Sequence, residues 1–221
     1  MTTFAIVPVK RFRTAKQRLD DDLSAGTRRA LTEAMVTDVL VALRRSERVD
    51  RVVVVTAEPA AEALGRGYGA DVIEEREDHG HSEAALLGIA DALERGADRV
   101  LLVPGDCPAL RPQEVDALLA AGPPPGGAPD IVLVPDRHGT GTNALVLSPP
   151  GAMAPSFGPG SRARHEQAAR AAGIEPRIVE APSLMLDIDT GEDLDALRDV
   201  LDAGTGGAAH TRGMLNRLSR R

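Results

Sequence analysis

Apolar residues fall along this chain in two rhythms. Phe4-Ala-Ile-Val-Pro-Val9, Arg51-Val-Val-Val-Val-Thr56 and Arg99-Val-Leu-Leu-Val103 are short unbroken apolar runs, the signature of strands buried on both faces. Shorter strands fit residues 71–73, 130–134, 144–147 and 177–179. Between Thr27 and Ser46 the rhythm changes: Leu31, Met35, Val36, Val39, Leu40 and Leu43 recur at helical spacing, with Ser24 or Thr27 placed to cap the first turn. Further helices are predicted at about 58–66, 82–95, 112–121, 161–172 and 191–203. Strand alternating with helix implies a three-layer α/β fold, a mostly parallel sheet covered by helices on both sides. Ligands of such sheets bind beyond the carboxyl ends of the strands, so the loops after the strands are where chemistry is expected. Residues 1–203 read as a single domain. Residues 122–129, rich in Pro and Gly, read as a stiff surface connection, and residues 204–221, without an apolar period, as a mobile tail.

A length of 221 residues suits one large domain. With 33 acidic against 26 basic side chains, the net charge of −7 excludes a general nucleic-acid surface, which needs an excess of Lys and Arg. No apolar run approaches the roughly 18–20 residues of a spanning helix, and no secretory cleavage pattern is present, so no membrane association and a cytoplasmic location are expected. The lone Cys107 has no internal disulfide partner, in keeping with a reducing compartment.

Against this acidic background the first strand runs into Lys10-Arg-Phe-Arg-Thr-Ala-Lys-Gln-Arg-Leu19, which holds both lysines of the chain and five cations from Lys10 to Arg18. A solvated charged face is one reading. The position after the first strand supports another, in which the cations neutralise a polyphosphate. No P-loop is present, because neither lysine follows a glycine. Pro104-Gly-Asp-Cys-Pro108 puts Asp106 at the end of a strand, either as a turn or cap residue or as a ligand. In Asp187-Ile-Asp189 alternation puts both carboxylates on one side, about 7 Å apart, which suits a hard cation; one of them can equally cap the helix at 191–203. Three aspartates opposite a locally cationic loop would make a Mg²⁺–polyphosphate site.

Gly139-Thr-Gly-Thr-Asn143 is either a hairpin turn or a loop whose N–H groups and hydroxyls approach an anion. Phe157-Gly-Pro-Gly-Ser161 leads into a helix with Ser161 at its cap beside Arg162 and Arg164, an arrangement that serves ordinary capping or an anion site. His79-Gly-His81 lacks further ligands at zinc spacing and reads as a loop; Cys107, with no base nearby in sequence, reads as a structural thiol.

Taken in order, Val7-Pro-Val-Lys10, Ala15-Lys-Gln-Arg-Leu19, Gly105-Asp-Cys-Pro108, Gly139-Thr-Gly-Thr142, Phe157-Gly-Pro-Gly-Ser161 with Ala163-Arg-His165, and Asp187-Ile-Asp-Thr190 resemble the phosphoenolpyruvate/2-phospho-L-lactate guanylyltransferase family of coenzyme F-420 biosynthesis. The resemblance covers about residues 4–200. It implies the nucleotide-diphosphosugar-transferase (glycosyltransferase-A-like) fold with a mostly parallel mixed sheet, GTP and a phosphorylated three-carbon acid as substrates, Mg²⁺ as cofactor and pyrophosphate as product. It further implies Asp106, Asp187 and Asp189 as metal-binding catalytic carboxylates. Lys10, Thr142, Gly158 and Ser161 would be contacts to the acid, with Lys10 also catalytic. Arg11, Lys16, Arg18 and Gly105 would be contacts to the nucleotide.

The chain departs from the family at Ala85-Leu86, where relatives carry a Leu-Asn pair opening the third helix. The Ala- and Arg-rich composition favours phosphoenolpyruvate as acceptor, with 2-phospho-L-lactate as the alternative. A molybdenum-cofactor guanylyltransferase or sugar-nucleotide synthase would show a Gly-Gly-x-Gly-x-Arg loop after the first strand, which Val9-Lys10-Arg11 lacks. A non-catalytic nucleotide-binding protein of the same fold would have no need of the three aspartates. The apolar helix faces and the 144–147 strand would permit a homodimer.

Overall fold

The computed structural model describes residues 1–12, 16–19, 23–120, 122, 127–204 and 207–218. Arg13 of the basic run, residues 123–126 of the Pro/Gly connection, and residues 205–206 and 219–221 of the expected tail lie outside them.

Strands β1 (Thr3–Val9), β2 (Arg51–Thr56), β3 (Asp71–Glu74), β4 (Arg99–Leu102), β5 (Asp130–Pro135), β6 (Thr142–Ser148) and β7 (Arg177–Ile178) form one sheet in the order β3-β2-β1-β4-β6-β5-β7. Neighbours pair in parallel except around β6, which runs antiparallel to both β4 and β5. This is the mostly parallel sheet that the apolar runs predict, with the mixed pairing that the resemblance implies. The strands alternate their burial between two cores, as the period of two demands. Ala5, Val7, Val54, Leu101, Val132 and Val146 face one side, and Phe4, Ile6, Val53, Leu102, Leu133 and Leu147 the other.

Helix α1 (Ala25–Arg45) starts at Ser24, whose Oγ accepts the Thr27 N–H at 3.3 Å, so Ser24 is the cap. It packs on the first face with α2 (Pro59–Gly67) and α4 (Pro112–Ala120), burying Val36, Val39, Leu40, Leu43, Ala61 and Val115. Helix α3 (His81–Glu94) and α5 (Ser161–Ala171) cover the second face. Gly88 lets α3 lie directly on β1, because a Cβ there would collide with the Ile6 side chain. Two short elements, a 3-10 turn at Gln17–Leu19 and α6 (Pro182–Met185), were not visible in the apolar pattern.

The expectation of a mobile tail does not hold for Ala209–Leu218. After α7 (Gly191–Asp202), these residues form α8, and Leu215 joins Leu19, Leu31, Met35, Leu194, Leu197 and Leu201 in a third core. The Asp38 carboxylate of α1 accepts the His210 and Thr211 N–H groups at 3.0 and 2.8 Å, satisfying the first-turn donors that a short helix leaves open. No helix among the described residues is long and apolar enough to cross a membrane.

Candidate active site

At the carboxyl ends of β1 and β4 the chain opens into a cavity of about 600 Å³. It lies between β1, whose chain continues to β2 on one side, and β4, whose chain continues to β5 on the other, the switch point of the sheet and the expected place for a ligand. Its wall includes Lys10, Lys16, Arg18, Gly105, Asp106, Thr142, Gly158, Ser161, Asp187 and Asp189. Arg11 is the one predicted site residue that is not in this wall; its backbone N–H instead lies 3.4 Å from Asp78 Oδ2.

Asp106 follows β4 and sits opposite the Asp187–Asp189 segment, which the Ile188 N–H pins to the Asp106 carbonyl at 3.1 Å. Ile188 is fully buried between its exposed-side neighbours, so alternation does turn both aspartates toward the cavity. The carboxylates nevertheless do not gather into a cage: among the described residues no three acidic, His or Cys side chains converge as a metal site. A cation lies among them. The Lys16 ammonium pairs with Asp106 Oδ2 and, at 2.8 Å, with Asp189 Oδ1, and its side chain is only 5 % exposed. Asp187 stands apart, its Oδ1 accepting from Asn143 Nδ2 at 3.0 Å. Asp106 Oδ1 is buried in the site without a hydrogen-bond donor among the described residues.

The proton affinities follow from this geometry. Burial opposes the charged Lys16, but Asp106 and Asp189 outweigh it and hold the ammonium above the ordinary lysine value. Burial likewise opposes the Asp106 carboxylate, and Lys16 more than compensates, so Asp106 is lowered. Asp187 has no such partner among the described residues: burial and then the neighbouring Asp106 charge push it up to about 6, against the hydrogen bond from Asn143. Cys107 is buried, its thiol donating to the Leu184 carbonyl at 3.5 Å; burial and the Asp106 and Asp187 charges raise its pKa, so it is a structural thiol.

On the opposite wall the Gly139–Thr142 segment turns between β5 and β6, so the hairpin reading holds for its backbone. A Cβ at Gly141 would lie 2.6 Å from Asp136 Oδ2, so a side chain there would displace that carboxylate. Ser161 is not the cap of α5. Gly160 occupies that position with φ +69°, and the Ser161 hydroxyl accepts the Thr142 N–H at 2.9 Å instead. The Thr142 hydroxyl contacts His165 Nδ1 at 3.0 Å, and His165 Nε2 accepts the Ser156 N–H at 2.7 Å. Thr142, Ser161 and the Phe157–Gly160 turn are thus built as one unit. Gly158, at φ +107°, adopts a backbone that side-chain-bearing residues avoid.

Asn143, His81 and His165 were not picked out as single residues by sequence reasoning. Asn143 and His165 stand inside the Gly139–Asn143 and Phe157–His165 segments and His81 inside His79-Gly-His81, which reads as a loop in sequence although His81 opens a helix; only their contacts reveal their role. His81 is the first residue of α3 and lines the cavity, with burial and the Lys10 and Lys16 charges lowering its pKa against the pull of Asp106. Ala85 and Leu86 lie a turn further along, Ala85 buried and Leu86 at the surface, so the helix opens on His81-Ser82 and not on that pair. The Ser82 hydroxyl accepts the Phe157 N–H at 2.9 Å, tying this helix start to the turn before α5.

Among the described residues the cationic loop is met by at least as many carboxylates. Asp193 is paired with Arg137 at 2.7 Å; setting it aside, the described wall carries Asp106, Asp136, Asp187 and Asp189 against Lys10, Lys16 and Arg18.

This fold occurs in a protein from Desulfovibrio desulfuricans G20 described as a candidate nucleotide-diphospho-sugar transferase, with TM-score 0.76 and 18% identity over 100% of this chain and 96% of that one. Sequence comparison is more specific. The chain is 53% identical over 220 residues to a phosphoenolpyruvate guanylyltransferase of Conexibacter woesei, covering 100% of this chain and 98% of the relative. It is 42% identical over 193 residues to a 3-phospho-D-glycerate guanylyltransferase of Phenylobacterium zucineum, covering 86% of each. It is 35% identical over 218 residues to a 2-phospho-L-lactate guanylyltransferase of Methanothermobacter thermautotrophicus, covering 99% and 92%. Residues 3–218 match the family model described as "Guanylyl transferase CofC like", and the chain belongs to that family of guanylyltransferases.

Proposed function

We propose that this protein transfers GMP from GTP to phosphoenolpyruvate with Mg²⁺ as cofactor, forming enolpyruvyl-2-diphospho-5'-guanosine and pyrophosphate on the route to coenzyme F-420. The observation that carries the acceptor is the 53% identity, along the whole chain, to a relative named for phosphoenolpyruvate. The alternative acceptor, 2-phospho-L-lactate, has a relative at 35%.

The charge balance supports a divalent cation. Among the described residues the wall sets four carboxylates against three cations, so a triphosphate is better held there when positive charge comes with it. The donors suit magnesium: Asp106, Asp187 and Asp189 are hard oxygen ligands, and the orphaned Asp106 Oδ1 is a buried lone-pair donor with no proton to accept. Bound there, Mg²⁺ would offset the charge on the triphosphate and on departing pyrophosphate.

The chain's own residues do the positioning. Lys10, beyond the end of β1, and the Thr142–Ser161 unit would hold the phosphate and carboxylate of the acid, while Arg18, Lys16 and the Gly105 backbone face the triphosphate. A phosphate oxygen of the acid attacks the α-phosphorus in line; a P–O bond forms there as the bond to the bridging oxygen breaks, and its electrons leave on pyrophosphate. The acid's phosphate is already ionised at pH 7, so no general base is needed, and holding the two anions together in line is the main task.

The test is pyrophosphate release with GTP and, in turn, phosphoenolpyruvate, 2-phospho-L-lactate and 3-phospho-D-glycerate, with and without Mg²⁺. Release with phosphoenolpyruvate at a kcat/KM at least tenfold above the other two acids is expected. A higher kcat/KM with another acid overturns the acceptor, and release without divalent ions overturns the cofactor.

A further inference from the structure

Lys16 has two features that contact with a triphosphate alone does not explain. Its ammonium is buried against Asp106 Oδ2 and Asp189 Oδ1, two of the carboxylates best suited to a divalent ion. Its backbone has φ +61°, a left-handed conformation that a residue with a side chain adopts at a cost and keeps only where its surroundings demand it. The side chain is therefore delivered to the carboxylates by a constrained turn, ahead of the 3-10 helix at Gln17–Leu19.

Resting on the guanylyltransferase reading, we propose that Lys16 is an internal counter-ion that keeps divalent cations off Asp106 and Asp189 until a nucleotide phosphate takes over its ammonium, so that metal and nucleotide enter together. Magnesium bonds to carboxylate oxygens at about 2.0–2.1 Å in a near-octahedral shell. The lone pairs it needs on Asp106 Oδ2 and Asp189 Oδ1 are those the ammonium now holds, and two cations repel strongly at that separation. Asp187, fixed by Asn143, remains in the cavity wall, and Asp106 Oδ1 is left without a partner among the described residues. Removing the ammonium would let all three carboxylates serve one ion.

A triphosphate is the natural agent of removal, because it offers Lys16 anionic oxygens in exchange for those it gives up and brings the divalent ion on its own oxygens. By linkage the effect is reciprocal: a nucleotide must strengthen metal binding by the same factor as the metal strengthens nucleotide binding. The device also explains how a cluster of aspartates stays stable in the empty protein without a metal to hold its charge.

The test is Mn²⁺ binding to the full-length, nucleotide-free protein, read from the electron paramagnetic resonance signal of the free ion. Lys16→Met should bind Mn²⁺ at least tenfold more tightly than the wild type. Arg18→Met, which removes a cation of the same wall that does not touch these carboxylates, should change the affinity less than twofold. In the wild type a saturating non-hydrolysable GTP analogue should raise Mn²⁺ affinity by a larger factor than in Lys16→Met. Circular dichroism checks folding, and Lys16→Gln serves as the second variant for the same comparison.

Equal Mn²⁺ affinity in wild type and Lys16→Met, or an equal gain in Arg18→Met, overturns the proposal. So does the absence of Mn²⁺ binding from every protein. None of these results touches pyrophosphate release, so the counter-ion role and the transferase reading fail separately.

Discussion

His165 Nε2 accepts the Ser156 backbone N–H, which fixes the other ring nitrogen as the protonated one and makes it the donor to Thr142 Oγ1. The tautomer is thereby set by the fold. A second proton on the ring would have to displace the Ser156 N–H, in a buried position beside Phe157, whose ring stands edge-on at 5.2 Å.

A pH dependence of stability follows. Burial, aided by the Arg164 charge, lowers the His165 pKa to about 4, below the value near 6.5 of an unfolded histidine. The unfolded chain therefore takes up a proton first as pH falls. The contribution of His165 is fully present above about pH 6.5, is lost as pH drops from there toward 4, and is constant below. The shift corresponds to something on the order of 2–3 kcal/mol. Urea unfolding at pH 7.5, 6, 5 and 4.5 should show the wild type losing stability faster than His165→Gln across this window. Parallel curves for the two proteins would contradict the assignment.

Asp187 presents the opposite case, a group kept at a cost. It accepts from Asn143 and meets no cation among the described residues, while the charge of Asp106 repels it. Asp187→Asn keeps the shape and removes the repelled charge. At pH 7.5, without metal or nucleotide, the variant is expected to be as stable as the wild type or more so, by about 1–2 kcal/mol, while pyrophosphate release falls by at least a hundredfold. Thermal unfolding and turnover measured on the same preparation check both halves. A large drop in stability would make Asp187 a structural residue.

Most of the sheet was legible in the sequence because its strands are buried on both sides. Runs such as Val52–Val55 and Val100–Val103 have no other reading, and Ser24 announces α1 by chemistry as well as by position. The site was legible as a set of loops, since every strand that ends there points its next residues at the cavity. Pairings within the site were not. That Lys16 would reach Asp106 and Asp189, residues 90 and 173 positions away, depends on the path of a turn and not on any local pattern. The same holds for α8. Its ten residues carry few apolar side chains, and what holds it is an acceptor from α1 and a shared core, both long-range.

Asp38 makes that last dependence testable. Its carboxylate is buried and serves two N–H groups of the first turn of α8, a cap supplied from another helix. Asp38→Ala leaves both donors without their acceptor, the Thr211 N–H in a buried position, and should cost about 1–2 kcal/mol. Because Asp38 is not in the cavity wall, kcat and both KM values should stay within about twofold at 20 °C. Hydrogen exchange should show residues 209–218 losing protection while the strands keep theirs. Uniform loss of protection would mean that α8 and the sheet open as one unit.

Ser161 separates the two substrates. Its hydroxyl accepts the Thr142 N–H, holding β6 to the start of α5, and both residues lie in the wall where the acid is proposed to sit. Ser161→Ala leaves a buried N–H unsatisfied, at about 1–2 kcal/mol of stability, and removes a hydroxyl from the acid's subsite. Loss of one such contact should raise the KM for phosphoenolpyruvate about tenfold, with the KM for GTP changed less than threefold. Lys10→Ala should act in the same direction and more strongly, since a charge-assisted contact is worth about twice a neutral one. Steady-state kinetics with each substrate varied in turn will show it. A rise in the KM for GTP alone would move the Thr142–Ser161 unit to the nucleotide and send the acid to the other wall.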